Sequence, residues 1–197
     1  LKVVGPDVDE GAVLKYVEAV FGRGERAGIS MVIWGSGGSR HVPHGFDHAR
    51  AKDQFISISG KIPALAKSHN IVLALENLNS TEANFINTVA EAYEIVKAVN
   101  HENLRMCADI YHMLKEGESP ESITSAGQYI VYTEVAEKDG RTAPGVQGDD
   151  FSAYISALKN IGYKGRIVIE CRWNNLDIQA RPANQSLLDQ LETVFGK

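Results

Sequence analysis

The sequence predicts an α/β fold of the (β/α)8 barrel class, and three observations carry that reading. Apolar runs of strand length recur along the 197 residues with helical sequence between them. These runs are continuously apolar rather than alternating, the pattern of parallel strands buried on both faces. Four of them, IVLALE (71–76), LRMCAD (104–109), YIVYTE (129–134) and GRIVIE (165–170), end in an acid: Glu76, Asp109, Glu134 and Glu170. A barrel of this class does its chemistry at the rim where such strand ends lie.

Taken in order, LKVVG (1–5) is strand-like, and Asp9 to Arg26 has helical composition that stops at Gly28. ISMVIWG (29–35) is a second strand and opens into a polar, glycine-rich loop, SGGSRHVPHG. Residues 46–69 read as helix, with Pro63 marking a kink or a break between two helices. After the strand 71–76, Ser80 or Thr81 could cap a helix. In that helix Phe85, Ile86, Val89, Ala92, Tyr93 and Val96 recur at helical spacing. The strand 104–109 leads to a short helix near Pro120–Ala126. Strand 129–136 leads through a polar loop to a helix from Asp150 to Ile161. The last strand, 166–170, precedes an irregular loop and a closing helix from about Asn184 to Phe195.

That reading makes six strands in one domain spanning 1–197, joined by right-handed helical crossovers. A closed barrel needs eight strands, and six alone would leave two bare edges. With Leu1 opening mid-strand, the expectation is a barrel whose first two βα units lie outside this chain. An open doubly wound sheet is the alternative, since it too places ligands at carboxyl strand ends. Its nucleotide-binding form is disfavoured, because GSGG at 35–38 lacks the spacing of a dinucleotide fingerprint.

Bulk properties exclude some functions. A net charge of −5 and a pI of about 5.7, with no Lys/Arg-rich run, argue against nucleic acid as a partner. No apolar stretch approaches bilayer length, so no membrane partner is expected. Cys107 and Cys171 lie inside strand-like runs and read as buried free thiols of a reducing cytosol, which makes the expected location cytoplasmic.

Side-chain alternation places Glu76 on one face with Ala74 and Val72, and Glu170 with Val168. In a barrel that face is the packed interior, where a lone ionised Glu is costly to bury. One such acid reads as a cap or a surface charge. Four at equivalent places read as a cluster that holds a divalent cation. His112, three residues after Asp109 in DIYHM, reaches the same rim as a ligand or a hydrogen-bond partner. Glu137 and Arg141 fall on the following loop, AEKDGRTAPG. There an Arg grips a hydroxyl, carboxylate or phosphate of a substrate, or pairs with Glu137 as a solvated charge. Arg172 and Trp173 follow Glu170, and the Trp could wall a pocket. Arg40, His41 and His44 lie on the long loop after residue 35 and read as ordinary exposed loop residues ahead of the alternative that they belong to a lid, and His48, His69 and His101 read as surface positions without a role.

The segments LALENLNSTEANFINTVAEA, ADIYHM, AEKDGRTAPG and GYKGRIVIECRW resemble the sugar phosphate isomerase/epimerase family of the xylose isomerase-like barrel superfamily. That superfamily includes tagatose/psicose 3-epimerases, hydroxypyruvate isomerases, inosose dehydratases and endonuclease IV. The resemblance spans essentially the whole chain. It implies one divalent metal (Mn²⁺, Mg²⁺, Co²⁺ or Zn²⁺) held by Glu76, Asp109, the residue at 134 and Glu170. It further implies that His112 and Arg141 hold substrate, and that Glu76 and Glu170 shuttle a proton. Where the family usually shows H-x-H, this chain has Tyr132, Thr133 and Glu134, and all-oxygen ligation favours Mn²⁺ or Mg²⁺. The expected activity is isomerisation or epimerisation of a small sugar through an enediolate. A dehydratase or lyase of a polyol or keto-acid is the alternative. An endonuclease IV-like phosphodiesterase and a non-catalytic relic rank below both. Self-association is common in such barrels, though no residue specifies an interface.

Overall fold

A computed structural model describes residues 1–196. Five parallel strands, β1 (Met31–Trp34), β2 (Val72–Glu76), β3 (Leu104–Asp109), β4 (Ile130–Val135) and β5 (Arg166–Ile169), pair in sequence order. The order never reverses, which rules out the doubly wound alternative, whose ligand site sits at a reversal of strand order. Helix α1 (Glu10–Arg26) precedes β1. The short α2 (Gly37–Arg40), α3 (His48–Ser59) and α4 (Ile62–Ser68) connect β1 to β2. Then come α5 (Val89–Val99) before β3, α6 (Ile110–Glu116) and α7 (Glu121–Ala126) before β4, α8 (Ser152–Asn160) before β5, and the closing α9 (Leu176–Phe195). Phe21, Phe55, Leu75, Met106 and Phe151 are fully buried in one continuous apolar core. Among the described residues no helix is long and apolar enough to cross a membrane.

Several expectations need correction. Among the described residues there are five strands, because residues 1–5 form no ladder: Val3 donates its N–H to Ser39 O, and Val3 and Val4 are buried against the loop after β1. Helix α5 starts at Val89 rather than near Ser80. Thr88 and Glu91 form a capping box there, each side chain accepting from the other's backbone N–H. The residues before it stay in a loop held by asparagine side chains that bond backbone groups within the segment and on a neighbouring loop. Asn84 bonds both backbone groups of Val42, and Asn87 donates to Leu78 O and Ala83 O. Helix α6, which the sequence reading lacked, follows β3 at once because Asp109 caps it, accepting from the Tyr111 and His112 N–H groups. Helix α9 begins at Leu176, capped by Asn175, and carries Pro182 within it. The 46–69 stretch breaks at Gly60–Lys61, and Pro63 sits in the first turn of α4, where its missing N–H is not needed. Both cysteines are free, with Cys107 buried and Cys171 only half-buried.

One pairing detail bears directly on function. Between β3 and β4 the register moves by one residue at Met106/Cys107: Met106 faces Ile130, but Cys107 faces Tyr132. The extra residue, Val131, brings Asp109 level with Glu134.

His69, the C-cap of α4, does have a role. Its Nδ1 lies 2.7 Å from Glu25 Oε2 and its Nε2 lies 3.0 Å from Glu18 Oε1, both on α1. Only the imidazolium donates at both nitrogens, and the bonds to Glu25 and Glu18 raise its pKa above the ordinary value. A raised folded-state pKa means that the bridge's stability is complete below the ordinary histidine range and is lost as pH rises through the raised value. His69→Gln is therefore expected to lower Tm at pH ~5.5 more than at pH ~8.5. Equal losses at both pH values would refute the charged bridge.

Candidate active site

The four strand-end acids converge. Glu76, Asp109, Glu134 and Glu170 each present an oxygen, and those oxygens all lie within 4.8 Å of one another. The first three are buried, while Glu170, one residue past β5, is exposed. Burial pushes the Glu76 carboxyl up to about 9, with Glu134, Asp109 and Glu170 adding to it. Burial and then Glu134 push Asp109 up to about 8. Glu134 is raised as well, by burial and by Glu170. Left bare, this cluster takes up protons, because like charges this close cannot all stay ionised.

The sign of that effect is testable. The folded protein holds protons on Glu76 and Asp109 at pH values where the unfolded chain has released them. Stability is then highest below the ordinary carboxyl range and falls as pH rises towards about 8 to 9. Protein stripped with a chelator is expected to lose Tm steadily between pH ~6 and ~9, and excess Mn²⁺ to flatten the slope. A metal-free Tm with no dependence on pH over that span would contradict the assignment. His69→Gln protein provides the control that removes the other group titrating in the same direction.

His112 is fully buried beside the cluster. Its Nδ1 accepts the Asn79 backbone N–H at 3.0 Å and lies 2.8 Å from Asn79 Nδ2. A backbone N–H can only donate, so the neutral ring carries its proton on Nε2. Burial, then Arg141 and Arg40, drive His112 down to about 3, so the ring is neutral at physiological pH. Nε2 lies 3.2 Å from Asp109 Oδ2 and 3.7 Å from Glu76 Oε1, yet has no properly directed hydrogen-bond partner. With Nδ1 accepting from Asn79, His112 presents an N–H towards Asp109 and Glu76 rather than a lone pair.

Arg141 enters from the loop after β4 with a positive φ of 53°. Its Nη2 pairs with Glu170 Oε2 and lies 3.5 Å from Asp109 Oδ2, and its Nη1 lies 3.5 Å from Glu82 Oε1. The guanidinium sits 4.7 Å above the Tyr111 ring. Glu137, expected beside it as a substrate contact, is instead fully buried. Its carboxylate accepts the N–H groups of Gly145, Gln147 and Gly148 and the Thr142 hydroxyl. Burial alone would raise its pKa, but those bonds together outweigh it and hold the carboxyl below the ordinary value. Glu137 therefore anchors the loop that carries Arg141 and is not available to a substrate. Arg172 is exposed and Trp173 half-buried on the loop after β5, where the Arg172 N–H donates to Arg141 O at 2.8 Å.

Three residues of the site, Gly35, Asn79 and Glu82, carry no role in the sequence analysis, and a fourth, Arg40, is placed there on an exposed loop. Arg40 was read as exposed and is fully buried, donating from Nη2 to Glu76 O at 2.7 Å and from Nη1 to Trp34 O at 3.4 Å. A Cβ at position 35 would overlap Glu76 Oε2.

These groups fit a divalent cation: the donor atoms are convergent carboxylate oxygens, they repel one another when bare, and an unpartnered N–H faces them. Strand order and site together define a parallel βα barrel with its chemistry-bearing groups at the carboxyl ends of consecutive strands. The chain belongs to the xylose isomerase-like TIM barrel family, whose sequence model matches residues 5–193. It is 32% identical to D-psicose 3-epimerase of Ruminiclostridium cellulolyticum over 111 residues, covering 56% of this chain and 38% of that protein. Similarity to L-ribulose 3-epimerase of a Methylomonas species is 31% over 127 residues, covering 56% of this chain and 44% of the relative. The inosose isomerase of Bacillus subtilis is 27% identical over 130 residues, covering 60% and 46%. Each match thus spans less than half of the relative. Among solved structures, D-psicose 3-epimerase in the presence of D-fructose superposes with a TM-score of 0.83 at 21% identity, covering all of this chain and 75% of the other. A zinc-bound neighbour superposes with a TM-score of 0.79 at 19% identity and equal coverage. At such identities the structural likeness is one of fold.

Proposed function

We propose that this chain carries the active site of a divalent-metal-dependent isomerase or epimerase of a small sugar or sugar derivative. The observation that carries the reading is the meeting of four carboxylates from four consecutive strands beneath a histidine locked as a donor. Glu76, Asp109, Glu134 and Glu170 would hold the cation, and a donor set of oxygens alone favours Mn²⁺ or Mg²⁺ over Zn²⁺. When bound, it would supply Lewis-acid polarisation of a substrate carbonyl. Related proteins named as sugar 3-epimerases and inosose isomerases support a polyhydroxylated ketone as the substrate class.

The chain's own residues then divide the work. Glu76 on β2 and Glu170 beyond β5 reach the cluster from its two ends. One takes the proton from the carbon beside the carbonyl and the other returns a proton. His112 donates from Nε2 to a substrate oxygen, and its one lone pair, on Nδ1, is taken up by the Asn79 N–H and so is not offered as a base. Arg141 fixes a substrate hydroxyl and offsets part of the surplus negative charge. Trp173 and Arg172 stand at the open side as a wall.

The test is proton exchange. With Mn²⁺ in D₂O, a panel of ketoses and inososes should include one that gains deuterium beside its carbonyl without any other change of mass. A product lighter by one water would turn the assignment to dehydration. No exchange with any member of the panel, in protein shown to bind metal, would refute the proton-transfer reading.

A further inference from the structure

Of the four acids, Glu76 is held by the most unusual device. On the β1 side its strand ladder ends at the pair Trp34 and Leu75, so the Glu76 carbonyl lies beyond the last backbone donor of β1. Arg40 takes that place. Its guanidinium bonds Glu76 O and Trp34 O together, which ties the ends of the two strands at the level of the cluster. A planar fork can reach two carbonyls at once, which an ammonium group cannot do from one position. The surrounding loop is seated firmly: Val42 exchanges two hydrogen bonds with the Asn84 side chain, at 2.8 and 2.9 Å. In front of the carboxylate, Gly35 supplies open space that any side chain would fill.

We propose that Arg40 and Gly35 are positioning residues for Glu76. Arg40 splints the ends of β1 and β2 from behind, and Gly35 leaves the gap through which the carboxylate turns towards the other three acids. The proposal rests on the metal-binding reading of the cluster. Burying a guanidinium is expensive, and this arrangement gives it a purpose, since small displacements of a ligand weaken a metal site strongly. A purely electrostatic role predicts the opposite sign: removing a cation beside four acids would strengthen binding of another cation.

Mn²⁺ titration by calorimetry, with Tm measured with and without Mn²⁺, separates these cases for wild type, Arg40→Met, Arg40→Lys and Gly35→Ala. Wild type is expected to bind one Mn²⁺. Arg40→Met and Gly35→Ala should bind about 10–100-fold more weakly, with Arg40→Lys between. Each variant should also show a smaller Mn²⁺-induced rise in Tm, which a merely structural lesion would leave unchanged. Affinity in folded Arg40→Met equal to or tighter than wild type overturns the proposal. If Arg40→Met does not fold, Arg40→Lys and Gly35→Ala decide, and wild-type affinity in both overturns it. Wild-type protein that binds no Mn²⁺ removes the metal site and this proposal together, whereas binding unchanged by the variants removes this proposal alone.

Discussion

Replacing Glu170 by Gln is expected to cut turnover by about 10²–10⁴-fold, the loss typical of removing a group that moves a proton in the transition state. The fold should survive, because the Glu170 side chain is 52% exposed and its pairing with Arg141 lies at the rim. Surface changes of this kind usually shift stability by less than about 0.5 kcal/mol. Gln keeps the shape and one acceptor oxygen, so Arg141 retains a partner while the proton-accepting function disappears. Deuterium exchange into substrate, measured beside Tm and Mn²⁺ affinity, is the informative experiment. Undiminished exchange in Glu170→Gln would remove Glu170 from the chemistry.

Glu137→Ala is expected to cost about 3 kcal/mol, among the largest stability losses any single change in this chain should produce. The carboxylate gathers three backbone N–H groups and a hydroxyl from residues 142–148 at 2.6–2.8 Å. Deleting it leaves those donors without an acceptor in a buried place, which costs more than the bonds contribute when formed. Because the same loop delivers Arg141, activity should fall together with stability. Urea unfolding and amide exchange at Gly145, Gln147 and Gly148 check this. Loss of less than about 0.5 kcal/mol with protection intact would show that the loop is held by other means.

The strands that carry the acids were readable because a continuously apolar run ended by a carboxylate is a local signal. What stayed hidden depends on contacts distant in sequence. Arg40 meets Glu76 across 36 residues, and the His112 tautomer is set by a backbone N–H 33 residues away. Glu137 looked like a substrate contact because its loop is polar and glycine-containing, and composition cannot distinguish an acid facing solvent from one that gathers a loop around itself. Residues 81–88 were misread for a related reason. Their apolar spacing fits a helix, but Asn87 donates to Ala83 O, a carbonyl the helix would have claimed, while Asn84 ties the segment to Val42 on another loop. The first five residues have strand composition, yet a strand requires a neighbour to pair with.

The one-residue shift between β3 and β4 makes Glu134 a product of counting as much as of chemistry. Were the strand to pair in phase with Val131 drawn into the ladder, Thr133 would lie beside Asp109 and Glu134 would turn to the opposite face of the sheet. The quartet would become a trio although no acid had been mutated. In a lineage of such barrels, therefore, a one-residue slip of this strand against β3 can exchange one metal-facing residue for its neighbour, and the donor beside Asp109 could change type by slippage as readily as by substitution.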